Sequence, residues 1–228
     1  PLEARDHSDV RRIIGHNGSG PFANPLEGTP EDSFGRIKGR YSITASNIAK
    51  YDGFHGLVIF DEHDPLEFDR ESLGDYLDTA LAWAAKAHET DPAARYFFFM
   101  WNCLWKSGAS IIHGHAQMTL TRDMHYAKVE ALRRVALGYQ QQYGTSYFKD
   151  LYDIHHDLEL TFGDDVVRGM AYLTRVKEKE ALLIADNIDD ACKDLLYHTL
   201  EAFTRELNVL SFNFVLYMPP LSGVEGED

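Results

Sequence analysis

His113, His115 and Gln117 stand at alternate positions in a run otherwise made of β-branched, apolar and small residues, from Ile111 to Leu120. The composition predicts a strand from Ile111 onward, and successive side chains on a strand point to opposite faces. The two imidazoles and the carboxamide are therefore expected in a row on one face, with Ile112, Gly114, Ala116 and Met118 on the other. Such a row suits phosphoryl chemistry. A neutral imidazole is nucleophilic near neutral pH, because its reference pKa is about 6.5. Attack on an α-phosphate gives a phosphoramidate and divides one difficult transfer into two easier ones. Neighbouring donors hold the non-bridging oxygens as charge shifts, and losing one such donor raises the barrier by roughly 3–4 kcal/mol in comparable sites. Just upstream, Ser107-Gly108-Ala109-Ser110 offers backbone N–H groups and a hydroxyl to the same phosphates. Taken alone, a His-x-His step on a strand reads equally as a pair of metal ligands. Gln117 at the third position and the Gly-x-Ser step before it favour the nucleophile.

The elements that must position this row follow a pattern that occurs twice. In the first half, Tyr41–Thr44 and Gly56–Phe60 have strand composition and Asp52-Gly53 is a turn signal between them. A helix is expected to start near Asp69, a good N-cap, with Leu73, Tyr76, Leu77, Ala80, Leu81 and Ala84 on its apolar face. Asp91-Pro92 ends it, and Arg95–Trp101 reads as a buried strand. In the second half Met170–Val176 and Ala181–Ala185 read as strands around a Lys177–Glu180 turn. Asp186, Asp189 and Asp190 then lead into a helix with Leu196, Leu200, Phe203 and Leu207 on one face, and Leu210–Tyr217 is again a strand. The expected fold is α+β, two halves with antiparallel sheets, each crossed by a helix. The corresponding boundaries are a loop-rich extension over 1–39, a first half over 40–122 carrying the site, a mainly helical connection over 123–165, and a second, degenerate half over 166–228. The Asn-Gly, Gly-Pro and Asn-Pro steps between Gly15 and Gly39 make that segment loop-like, and the Gly-rich acidic ending Ser222–Asp228 also reads as loop.

Composition narrows the partners. A net charge of −14 works against nucleic acid, whose binding gains affinity from Lys and Arg on phosphates. A small anionic ligand inside a pocket remains compatible, since local donors there outweigh the distant field. No apolar run approaches the ~20 residues that cross a bilayer, so no membrane partner is expected. Pro1–Asp9 is polar, unlike a signal peptide. Cys103 and Cys192, widely separated, argue against a disulfide scaffold and fit a reducing cytoplasm. Several other residues read blandly: His63 as closing a turn or ligating a metal, His155-His156 as a solvated helix end, and Trp101 and Trp105 as core or base-stacking groups.

The spacing Asn102, Gly108-Ala109-Ser110, His113-x-His115-x-Gln117 resembles that of galactose-1-phosphate uridylyltransferase and its relatives in the histidine-triad (HIT-like) superfamily. Their motif is Asn, then Gly-x-Ser, then His-Pro-His-x-Gln, at the same intervals. Asn47-Ile48-Ala49 resembles the family's base-contacting segment, and Val58–Leu66 its strand-plus-histidine signature; together the resemblance covers most of the chain from about Tyr41. It implies a nucleotidyltransferase with two-step, ping-pong kinetics. His115 would become nucleotidylated, Gln117 would hold the phosphate, and His113 would support. Asn102, Gly108 and Ser110 would contact the phosphates and Asn47 the base or ribose. The implied donor is a nucleoside diphosphate sugar or other nucleotide, the acceptor a sugar 1-phosphate or phosphate, and a homodimer is common in the family. A nucleotide hydrolase or phosphorylase using the same site, or a nucleotide-binding protein without turnover, are the alternatives. In the family His113 and His63 also ligate a structural zinc. The Cys-x-x-Cys pair of that site is missing here, and two histidines alone are a poor tetrahedral set, which argues against zinc. Gly114 replaces the usual Pro, so a less rigid strand is expected there. Relatives continue with a final strand pair that helps bind the sugar, and part of the acceptor site is expected outside these residues.

Overall fold

The computed structural model describes residues 8–16, 20–50 and 53–222. Asp52 of the expected turn, residues 1–7 of the polar start, the Asn17-Gly18 step and residues 223–228 of the acidic ending lie outside the described residues. The chain divides into two units: Pro1–Tyr126 with Asn208–Asp228, and Ala127–Leu207.

The first unit holds α1 (Ser8–His16), a single turn α2 (Pro25–Gly28), β1 (Ser42–Ser46), β2 (Phe54–Phe60), α3 (Arg70–Thr90), β3 (Tyr96–Asn102), β4 (His115–Thr121) and, from the far end of the chain, β8 (Asn213–Tyr217). These strands form one antiparallel sheet in the order β1-β2-β4-β3-β8. One face takes the long helix α3. Its N-cap Asp69 accepts from Ser72 N–H while the Ser72 hydroxyl answers the cap's own N–H, a reciprocal pairing that satisfies two of the helix's open donors. Leu73, Tyr76, Leu77, Ala80, Trp83, Ala84 and Ala87 are buried along it, at the helical spacing that the sequence carries. Gly56 on β2 makes room for the Trp83 ring, which approaches to 2.7 Å of where a Cβ would stand. On the same face Phe60 stacks on Tyr76 and meets Trp101 edge-on.

The segment before β1 does more than loop. Val10 and Ile14 of α1 are buried, and Phe22 joins Ile43, Ala45, Leu57 and Ile59 in a small core on the opposite face of the sheet, with Ile111 packed against it. Asp32 is buried as well and accepts from Trp83 Nε1 at 2.7 Å.

The second unit holds α4 (Ala127–Tyr143), α5 (Tyr147–Asp157), β5 (Thr161–Gly163), β6 (Val167–Ala171), β7 (Ala181–Ala185) and α6 (Asp190–Glu201), which runs on into a π turn over Ala202–Glu206. Its sheet is three-stranded and antiparallel, β5-β6-β7. Asp189 caps α6 through Cys192 N–H, and Cys192, Leu196 and Leu200 are buried. The expected α+β organisation of antiparallel sheets with a helix across each is present. The strand expected over Met170–Val176 lies earlier, at Val167–Ala171, where it pairs with Ala181–Ala185 on one side and Thr161–Gly163 on the other.

The last strand differs from the sequence expectation in its partner. β8 follows the helix of the second half in order, yet it pairs with β3, not with β5-β6-β7. Aromatic packing explains the choice. Phe212 meets Trp101 at 5.0 Å, Phe214 meets Phe99 at 5.7 Å and Tyr217 meets Phe98 at 6.2 Å, along a strand, β3, that is itself mostly aromatic. Among the described residues no helix is long and apolar enough to cross a membrane.

Candidate active site

On β4, His115 and Gln117 point to the face opposite α3, as alternation requires. His113 does not share the strand: β4 begins at His115, and residues 113 and 114 precede it as a bend. The bend is bonded all the same, since Phe60 N–H donates to the Gly114 carbonyl at 2.9 Å and Gly114 N–H to the His63 carbonyl at 3.1 Å. A Cβ on residue 114 would stand 2.6 Å from Phe60 Cδ2 and 3.0 Å from the Glu62 carbonyl. Gly114 is thus demanded by its neighbours, and the less rigid strand expected from the sequence gives way to a close-packed crossing.

That bend fixes the tautomer of His115. His115 Nδ1 lies 2.8 Å from the His113 carbonyl, an acceptor only, so Nδ1 carries the proton and donates. Nε2 keeps its lone pair. The ring is buried and packs edge-on against Phe22 at 5.0 Å. Burial lowers its pKa below the ordinary histidine value, against the bond to the His113 carbonyl, which raises it. A neutral, oriented imidazole is the result.

His113 donates from Nε2 to the Phe60 carbonyl at 2.8 Å, and His63 donates from Nε2 to the Ile14 carbonyl at 3.0 Å. The two Nδ1 atoms then stand 3.2 Å apart, a contact that is a hydrogen bond only when one of them also carries a proton. Burial lowers the His113 pKa as well. Two inward nitrogens are half of a tetrahedral zinc set. Among the described residues no third His, Cys, Asp or Glu side chain joins them, so these residues do not by themselves fit a closed zinc site. His63 ties the turn after β2 to α1, and His113 ties the bend to the end of β2.

Gln117 and Asn47 are brought together by a residue that the sequence reading passed over. His55, on β2 and almost fully buried, places Nε2 3.1 Å from Gln117 Oε1 and 2.9 Å from Asn47 Nδ2. Asn47 Oδ1 accepts from Ala49 N–H at 3.0 Å, which sets the orientation of its amide. One ring nitrogen carries either a proton for Gln117 or a lone pair for Asn47, so the two bonds alternate. With Nε2 protonated, the Gln117 oxygen is held and its –NH2 is turned away from His55. The signal available in the sequence was a histidine inside an otherwise apolar strand.

Asn102 ends β3. The register Met100 opposite Gln117, continued by two residues, sets Asn102 level with His115 on the same face. After it the chain turns through Leu104 and Gly108, both at positive φ, 66° and 105°, with Gly108 in the left-handed helical conformation. Only glycine adopts that conformation at little cost, which accounts for Gly108. The Ser107 hydroxyl is spent within the loop on the Cys103 and Leu104 carbonyls. Ser110 is exposed between this turn and the histidine bend, and no bond joins it to the other expected site residues.

No family model matches this chain, and no curated protein matches it. Solved structures do. The fold is that of an ADP-glucose phosphorylase from Arabidopsis thaliana with bound ADP-glucose, at a TM-score of 0.71 and 17% identity over 92% of this chain and 76% of that one. A galactose-1-phosphate uridylyltransferase-like protein from the same plant gives 0.73 and 17%, over 92% and 78%. A uridylyltransferase gives 0.70 and 14%, over 90% and 75%. The chain therefore shares its fold with these phosphorylase and uridylyltransferase structures.

Proposed function

We propose that this protein transfers a nucleotidyl group through a covalent intermediate on His115 Nε2. The observation that carries the reading is the 2.8 Å bond from His115 Nδ1 to the His113 carbonyl, which leaves the lone pair on the outer nitrogen of a buried, neutral ring. In the first step that lone pair attacks the α-phosphorus of a nucleotide donor. A P–N bond forms, and the bond to the bridging oxygen breaks to release the rest of the donor. In the second step an oxygen of an acceptor phosphate attacks the same phosphorus and the P–N bond breaks, restoring neutral His115. Gln117 and Asn102 donate to the non-bridging oxygens in both transition states, and Asn47 lies beside the base or ribose.

The donor we favour is a nucleoside diphosphate sugar, because the similar phosphorylase holds ADP-glucose on the same fold. The acceptor is inorganic phosphate or a sugar 1-phosphate. Intact-mass spectrometry after brief mixing with ADP-glucose, UDP-glucose and a dinucleoside polyphosphate tests this. The expected result is an acid-labile increment of one nucleotidyl group, discharged by phosphate or by a hexose 1-phosphate. Binding of these nucleotides with no increment from any of them would instead make the protein a nucleotide-binding module.

The same ring predicts the pH profile. Protonation removes the nucleophile, so activity falls as pH drops through the pKa of His115 in the free enzyme. Since burial lowers that pKa, the acid limb of kcat/KM is expected below about 6.5, the reference value. A limb centred above 6.5 would contradict the buried, neutral imidazole.

A further inference from the structure

Asn213 enters from the strand β8 and faces Asn102 across the β3–β8 pairing. Its side-chain amide gives one hydrogen to Asn102 Oδ1 at 2.6 Å and the other to the Ser107 carbonyl at 2.8 Å. An –NH2 group has two hydrogens, and both are used here. The acceptor on Asn102 is thereby occupied, and its own Nδ2 is turned toward Gly108, 3.9 Å from where a Cβ on that residue would stand. Without such a partner an asparagine amide is free to rotate by half a turn and present oxygen instead of N–H. For a group meant to bind phosphate, that rotation exchanges a donor for a repelling acceptor.

We infer that Asn213 is a positioning residue for the phosphate side of the site: its two amide hydrogens hold Asn102 with N–H toward the Gly108 turn and fix the Ser107 carbonyl of that turn. The inference rests on the proposed nucleotidyl transfer, and it makes a strand from beyond the second unit part of the machinery. Asn213 is exposed and β8 is an edge strand, so changing this side chain leaves the core of the sheet untouched.

The test is Asn213→Asp. A carboxylate offers no hydrogens, repels the Ser107 carbonyl and draws the Asn102 –NH2 toward itself, which inverts the Asn102 amide. Wild-type protein is first labelled with the nucleotide panel; absence of labelling overturns the proposed function and this inference with it. Given labelling, N213D is expected to slow adduct formation roughly 10- to 100-fold, the cost of a misplaced group at a reacting centre. The side-chain amide resonances of Asn102, assigned by their loss in N102A, are expected to shift in N213D while the thermal midpoint stays at the wild-type value. In an N102A background N213D is expected to add little further slowing. Labelling at the wild-type rate, unmoved Asn102 resonances, or a full additional loss in the N102A background would each overturn the positioning role and leave the proposed function standing.

Discussion

Replacing His115 by asparagine is expected to lower turnover roughly 10⁵- to 10⁶-fold, the scale on which removal of a covalent nucleophile acts when the remaining groups work as a unit with it. Asparagine is chosen because its amide reproduces the Nδ1 position. Its N–H still reaches the His113 carbonyl that His115 uses at 2.8 Å, so the bend keeps its bond. What disappears is Nε2 and its lone pair. Nucleotide binding is therefore expected within a few-fold of wild type, with the nucleotidyl increment absent from the mass spectrum. A smaller variant such as His115→Ala opens a hole beside Phe22 and mixes the loss of chemistry with a packing cost. Turnover retained in His115→Asn to within a hundredfold would remove the covalent step from the mechanism and leave direct transfer between bound substrates.

The second large effect concerns a residue that touches no substrate. Gly114→Pro restores the residue usual between the two histidines in the resembling family, and judged by motif alone it should be harmless. In this chain it is expected to destabilise the protein by about 3 kcal/mol. Proline has no N–H, so the bond from Gly114 to the His63 carbonyl is lost, worth about 1 kcal/mol. The added ring also collides with Phe60, whose Cδ2 stands 2.6 Å from the Cβ position, and overpacking of this kind costs roughly 1–3 kcal/mol. Denaturant unfolding checks the figure. Gly114→Ala keeps the N–H, and its smaller loss isolates the steric part. If Gly114→Pro proves neutral, the close packing of Phe60 on this bend is not what selects glycine.

These two cases mark what could be read before the structure. The pairing of His115 with Gln117 was legible because strand alternation is local and needs only the residue types. The position of His113 was not. Where β4 starts depends on the contacts of Gly114 with Phe60 and His63, about fifty residues earlier, and no local pattern encodes them. Helix α3 was legible to within a residue, since Asp69 and Asp91-Pro92 punctuate a strongly periodic run. The partner of β8 was hidden because an aromatic strand advertises burial without naming its neighbour. His55 and Asn213 were missed for opposite reasons. A lone histidine among apolar strand residues passes for a packed core group, and an asparagine on an edge strand passes for a solvated one. Each acquires meaning only from the side chain across from it, Gln117 in one case and Asn102 in the other.

The pairing of β3 with β8 has a consequence for how the molecule comes to exist. Ala127–Leu207, a compact unit of its own, lies between the two in sequence, so the Asn102–Asn213 bond joins residues 111 apart in the chain. Loop length alone adds little to the equilibrium cost, about 0.6 kcal/mol per doubling. Its weight falls on kinetics, since distant strand pairings form late. A nascent chain can thus possess its histidine bend while β3 still shows a bare aromatic edge, Phe97 to Trp101, of the kind on which other chains assemble. Until β8 pairs, β3 is an open edge of the sheet, and a chaperone that shields that edge would act in this interval.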